Sequence, residues 1–308
     1  MPKFSVRKSI HIDAPVEKVH ASVRDFKQWP AWSPWLIAEP DCPLTFADDG
    51  KSYSWDGRII GSGGMEVVGE EAPGAIHYRL TFLKPWKSVS AVTFSFHESK
   101  GGTEVVWEMN SSLPFIMFWM KNMMTAFIGM DYERGLVMLK QQLEGGRVRS
   151  KLDFPGEQDY PGCHYVGIQS EGSTKDIGEL MKRDLEKLDA WRQESDAKPA
   201  GGLISIYQKW DPVKQQCGYI LALPLEAPLT APPSGMVTGE IPACQSYVVR
   251  HAGPYPQLGN AWAAGMMHAR SKIFRQSRSI KPFELYENSP ETTPEDELVT
   301  LVHFPVKA

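Results

Sequence analysis

Tyr247-Val-Val-Arg-His-Ala-Gly-Pro-Tyr255, continued by Leu258 and Ala261-Trp262, and then Pro282-Phe-Glu-Leu-Tyr286, is the stretch on which the fold of the second half turns. Tyr247 to Ala252 reads as a strand that Gly253-Pro254 ends. A helix follows over 257–274, and Phe283 to Tyr286 returns as a short strand. In a strand, side chains alternate between faces, so Glu284 and Tyr286 share one face. Tyr255 and Trp262 stand two helical turns apart if the helix begins near Pro256, which would set both rings over one groove.

Working outward, the same order of elements occurs once before. Tyr165-Val166 recurs as Tyr247-Val248, Tyr207 as Tyr286, and Pro224 as Pro305, at offsets of 82, 79 and 81 residues. A first helix over 177–193 carries Ile177, Leu180, Met181, Leu185 and Leu188 at helical spacing. Each half therefore reads strand, helix, strand, strand, and two such units would pack with a groove at a pseudo-twofold interface. By the 79-residue offset Ser205 corresponds to Glu284, so the groove would hold a single carboxylate specific to one repeat.

The first half is built differently. Phe4, Val6, Ile10 and Ile12 alternate as a strand, Asp13-Ala-Pro15 opens a helix, and Trp29-Pro-Ala-Trp-Ser-Pro-Trp35 breaks it. Strand-like segments follow at 52–60, 64–69, 75–83, 89–96 and 103–109, separated by Gly, Pro and charged turns. A long helical stripe then runs through Met120, Met123, Met124, Phe127, Ile128, Leu136, Leu139 and Leu143 to Gly145-Gly146. A curved antiparallel sheet gripping one long helix is the expected architecture, with a cavity lined by Trp, Phe and Met. Gly, Arg and Lys around 145–155 read as a linker, giving an α+β chain with domains at 1–148 and 149–308.

Composition narrows the function. A formal net charge of −4 provides no global basic field for nucleic acid, and no helix-turn-helix pattern lies outside the two domains, so direct nucleic-acid binding is not expected. Cys42, Cys163, Cys217 and Cys244 form no CxxC pair and have no histidine cluster beside them, which argues against a metal. Gly61-Ser-Gly-Gly64 sits between strands rather than at a strand-to-helix junction, so no nucleotide cofactor is indicated. The opening Met1-Pro-Lys-Phe-Ser-Val-Arg-Lys has no apolar signal-peptide core, and the chain is expected in the cytoplasm. The apolar run 113–130 is interrupted by Pro114, Lys121 and Asn122, so it reads as a buried helix lining a pocket rather than a membrane span.

Ala14-Pro-Val-Glu-Lys-Val19, the Trp29 to Trp35 segment and the closing helix resemble the START-like superfamily, SRPBCC, in its polyketide-cyclase-like branch, over about 4–145. The motifs at 247–262 and 282–286, with Pro290, Glu295-Asp-Glu-Leu298, Thr300 and Pro305-Val306, resemble the GyrI-like domain, the effector-binding module of AraC-type regulators, over about 154–307. The second resemblance implies that a Glu at the position of Glu284 contacts cationic lipophilic ligands. It also implies a rival role, since some members are described as hydrolases of strained electrophiles in which a Glu and aromatic hydroxyls assist water.

Glu284 is the leading candidate residue on physical grounds too. A carboxylate in an aromatic groove is costly unless it is protonated or meets a cation. The bland alternatives are a solvent-facing Glu and a pair with Arg250. Tyr286, Tyr255 and Trp262 are its candidate neighbours, with Tyr165 and Tyr207 as first-repeat counterparts; Trp262 reads equally well as core. His251 reads as a structural hydrogen-bonder. In the first domain Trp32, Trp35 and Trp107 are the candidate ligand-facing rings, and no acid–base pair accompanies them. The expected function is binding or sequestration of hydrophobic small molecules, cations among them, in two tandem pockets. The alternatives are hydrolysis of a reactive electrophile at Glu284 and a gyrase-inhibitor-like protein-interaction module.

Overall fold

A computed structural model describes residues 3–84 and 86–307. The chain folds into two compact units that divide between Ser150 and Lys151. The first contains β1 (Lys3–Ile12), α1 (Val16–Arg24), β2 (Leu44–Phe46), β3 (Ser52–Asp56), β4 (Ser62–Glu71), β5 (Ala75–Lys84), β6 (Ser88–Ser99), β7 (Gly102–Ser112) and α2 (Lys121–Gly145). Its strands form one antiparallel sheet in the order β1-β7-β6-β5-β4-β3-β2, and α2 lies along β1.

Alternation along these strands sends one face inward, as in Ile76, Tyr78 and Leu80 of β5, or Val92, Phe94 and Phe96 of β6. Between sheet and helix the space is filled by rings. Trp107 stacks on Tyr132 of α2 with centroids 3.9 Å apart and on Phe94 at 4.7 Å, and Trp29 meets Trp32 at 4.5 Å. Gly135 admits this packing, because a Cβ there would stand 2.9 Å from the Trp107 ring. The half-buried Trp35 donates its indole N–H to Asp131 (3.0 Å).

The run 113–130 corrects the expectation of a buried, pocket-lining helix. Phe115, Phe118 and Trp119 lie in a short 3-10 helix, Phe115–Met120, and are exposed. Met120, Met123 and Met124 are only half-buried. Full burial on the helix begins at Gly129, which sits against Lys8 and Val6, while Met117, Met124 and Ile128 before it are only partly covered by the core.

The second unit contains β8 (Lys151–Tyr160), β9 (Cys163–Ser173), α3 (Ile177–Glu194), β10 (Ile204–Asp211), β11 (Gln216–Leu225), β12 (Val237–Ile241), β13 (Cys244–Ala252), α4 (Gly259–Arg270), β14 (Phe283–Tyr286) and β15 (Val299–Pro305). Residues from Lys151 that read as linker are thus a strand, β8, paired along β13. The sheet order is β12-β9-β11-β10-β14-β15-β13-β8. Helix α3 packs on β9 and β11, and α4 packs on β13 and β15. Tyr286 touches the apolar clusters of both, so the two helices share a face and leave β10 and β14 as a strip between them.

Helix α4 seats closely because residue 265 is glycine; a Cβ there would approach the Phe304 ring of β15 to 2.1 Å. That ring is buried and cannot swing aside. Gly265→Ala is therefore expected to lift α4 and destabilise the protein by about 1–3 kcal/mol. Denaturant unfolding with an unchanged midpoint would show that the helix does not depend on this contact.

Candidate functional site

The strip between α3 and α4 is floored by alternate residues of the two central strands. Ile204 and Ile206 face away from the helices, so Ser205 and Tyr207 face toward them. Phe283 and Leu285 likewise face away, leaving Glu284 and Tyr286 on the helix side. Ser205 and Glu284 are directly opposite in the β10–β14 ladder. Helix α4 brings Trp262 over them, and the turn Tyr255–Gln257 just before α4 brings Tyr255.

Glu284 is 2% exposed. Its Oε1 accepts from the Trp262 indole N–H at 2.6 Å, and its Oε2 accepts from the hydroxyls of Tyr286 (2.6 Å) and Tyr207 (3.0 Å). The Tyr286 hydroxyl also meets Ser205 Oγ at 3.0 Å. Around these bonds the rings pack edge to face, Tyr207 on Trp262 at 4.8 Å and Tyr255 on Tyr286 at 5.4 Å. All four rings are half-buried, so each covers the carboxyl while keeping part of its own surface open to solvent.

Two effects oppose each other at the carboxyl. Burial dominates and raises its pKa above the ordinary carboxyl range, while the three donors pull it back. In turn, burial and the nearby Glu284 raise Tyr207 and Tyr286 well above the usual phenol value, so both hydroxyls stay protonated and donating. Burial and Glu284 also push the Cys217 thiol up to about 11. Among the described residues no cation pairs with Glu284. Arg250, a potential partner by sequence, bonds Asp153 at 3.0 Å instead. The arrangement is an acceptor with every donor supplied and no counter-charge.

Of the residues singled out by sequence, Glu284, Tyr286, Tyr207, Tyr255 and Trp262 come together. Tyr165 does not. It packs with Ile204, Cys163 and Val237 on the face away from the helices, whereas Val166 faces α3. The 82-residue match to Tyr247 is one residue out of step in facing, and a one-residue slip in a strand reverses every side chain. Trp32 and Trp107 are buried within the aromatic core of the first unit, and Trp35 is half-buried against it. A hollow of about 230 Å³ in that unit is lined by Pro30, Leu36, Ile37, Leu44 and Val148 rather than by those three indoles. The first unit thus has a filled grip where an open cavity was expected at the tryptophans. Asp184 went unnoticed in the sequence: fully buried on α3, it accepts from Tyr219 at 2.7 Å and fixes the helix to β11. Its isolated place in a charged helix carried no signal.

Comparison with known proteins agrees with this architecture. Residues 3–144 match the polyketide cyclase/dehydrase and lipid transport family, and residues 157–307 match the GyrI-like small molecule binding domain. The two family models thus match in tandem, one within each unit. A search of curated proteins finds no match. Similar solved structures include SAV2435 bound to tetraphenylphosphonium (15% identity, TM-score 0.41, covering 51% of this chain and 94% of that one). The EcmrR C-terminal domain has the same identity and score, covering 51% and 98%. Protein MLL2253 from Mesorhizobium loti is 17% identical with a TM-score of 0.37, covering 47% and 100%. No helix among the described residues is long and apolar enough to cross a membrane, and they contain no cluster of His, Cys, Asp or Glu fit for a metal.

Removing the indole donor isolates its contribution. Trp262→Phe keeps a ring but leaves Oε1 without its hydrogen bond, and is expected to cost about 2 kcal/mol of stability, measured by denaturant unfolding. A loss within error would mean that the tyrosines alone hold the carboxylate.

Proposed function

We propose that the GyrI-like unit binds hydrophobic small molecules in the groove between α3 and α4, and that Glu284 selects those carrying positive charge. The observation that carries this is a carboxylate 2% exposed, held by three donors and facing no cation among the described residues. A bound cation would supply the missing charge in a low-dielectric setting, where Coulomb attraction is strong. Tyr207, Tyr255, Tyr286 and Trp262 offer π-faces to the same cation and apolar area to its substituents. The strand–helix–strand–strand sets read as a duplication about an axis between β10 and β14. Ser205 and Glu284 stand opposite each other across that axis, which leaves a single carboxylate between the copies.

Tetraphenylphosphonium and a neutral aromatic of similar shape, triphenylphosphine oxide, test the reading by calorimetric titration. Glu284→Gln should weaken the cation by roughly 10- to 100-fold and leave the neutral compound nearly unchanged. Equal losses for both would remove the charge-selection claim.

Unliganded stability should move the other way. Because burial raises the carboxyl's pKa in the fold, the native state holds its proton to higher pH than the unfolded chain does. Stability associated with Glu284 is greatest on the acid side and is lost as pH rises through the folded value. His251 and His303, held neutral by burial and pushed down to about 4, act with the opposite sign in wild type and variant alike, so they cancel in the difference. The melting temperature of wild type relative to Glu284→Gln should therefore fall as pH rises, and a constant difference would contradict the assignment.

Two phenol hydroxyls converging on Oε2 also suit a site that orients water toward a strained electrophile. That second reading requires turnover beyond one equivalent that collapses in Glu284→Gln.

A further inference from the structure

The exposed aromatic residues of the first unit are concentrated at one end of its sheet. Strand register places Lys3 of β1 opposite Ser112 of β7, and Phe82 of β5 opposite Ser88 of β6. The end of β7, the start of β1 and the β5–β6 connection therefore lie at the same end, together with the 3-10 helix that follows β7. There Phe115, Phe118 and Trp119 are 75, 59 and 67% exposed, and Leu83, Trp86 and Val89 are exposed beside β5 and β6. So concentrated an apolar surface is uncommon on a protein that meets only water.

The charges that flank its rings are basic. Lys3, Lys84, Lys87 and Lys121 flank the rings, all exposed. No acidic residue occurs in 84–97 or in 110–130. The carboxylates at this end are engaged: Asp56 pairs Lys84 at 3.4 Å, Glu108 accepts from the Asn110 side chain at 2.8 Å, and toward the β2 edge, where Asp41 also lies, the Glu39 carboxylate accepts the backbone N–H groups of Arg58, Ile59 and Ile60. The far end of the same sheet carries Asp13, Asp48, Asp49, Glu71 and Glu98 against Lys51 and Lys100. Trp and Phe with interleaved lysines are the residues that settle at the headgroup level of a bilayer, the rings in the acyl boundary and the ammonium groups at lipid phosphates. A segment of six residues is too short to cross a membrane, so it can only lie on one.

We propose that this end of the polyketide-cyclase-type unit docks on an anionic lipid surface, with Phe115, Phe118 and Trp119 inserted and Lys87 and Lys121 at the headgroups. Co-sedimentation of the full chain with vesicles tests it, using phosphatidylcholine alone and phosphatidylcholine mixed with phosphatidylglycerol. The chain should pellet with the anionic vesicles, less so as salt is raised. Phe118→Ser with Trp119→Ser, and separately Lys87→Glu with Lys121→Glu, should each weaken partition at least roughly tenfold with unchanged melting, since all four side chains are exposed. The proposal is overturned by failure to pellet with anionic vesicles, by equal binding to pure phosphatidylcholine, or by binding that either pair of substitutions leaves intact. It is equally overturned if sedimentation velocity shows a self-association that Phe118→Ser with Trp119→Ser abolishes while vesicles are ignored; the face would then join copies of the chain.

Discussion

A carboxylate on the middle strand of a sheet is the constraint around which the second unit is arranged. Placing Glu284 at 2% exposure carries a desolvation penalty that water would otherwise offset. Three donors offset it here, and each must be delivered from a different place: Tyr207 from β10, Tyr286 from β14 itself, and Trp262 from α4. The close seat of α4 at Gly265, the pairing of β10 with β14 and the alternation of both strands are all needed to bring those donors to one point. Breaking any of them leaves a buried charge short of a partner, which costs more than the bond itself contributes.

The same geometry underlies the proposed ligand site. Hydrogen bonds stabilise the anion but leave its net charge uncompensated, and neutral donors are what the protein provides. In the proposed function, a cation entering between the rings would remove that residual cost, and selectivity would arise from what the apo site lacks as much as from what it holds. The tyrosine hydroxyls cannot serve as alternative anions, because burial beside Glu284 keeps both protonated.

Much of this was legible from sequence because strand alternation is a strict rule. Phe283-Glu-Leu-Tyr286 alone put Glu284 and Tyr286 on one face, and the Gly253-Pro254 turn put Tyr255 and Trp262 nearby. What alternation cannot supply is register between distant segments. The Tyr165 to Tyr247 match was off by one residue, enough to turn Tyr165 to the opposite face. In the first unit, the pattern of inward aromatic residues suits cavity walls, yet Trp107 stacks on both Tyr132 and Phe94 and the rings fill the space themselves. Periodicity shows which residues turn inward, not whether the volume they enclose is empty. The 113–130 run misled for a related reason: an apolar stripe marks a surface that avoids water, whatever covers it.

Protonation and cation binding should compete at Glu284, and the pH dependence of tetraphenylphosphonium affinity measures that competition directly. If the carboxylate is the selecting group, the dissociation constant should rise as pH falls through the folded-state pKa of Glu284, with proton release on binding at the acid end. An affinity that stays flat with pH over the range in which the protein remains folded would contradict the account, and would leave apolar burial as the whole basis of recognition.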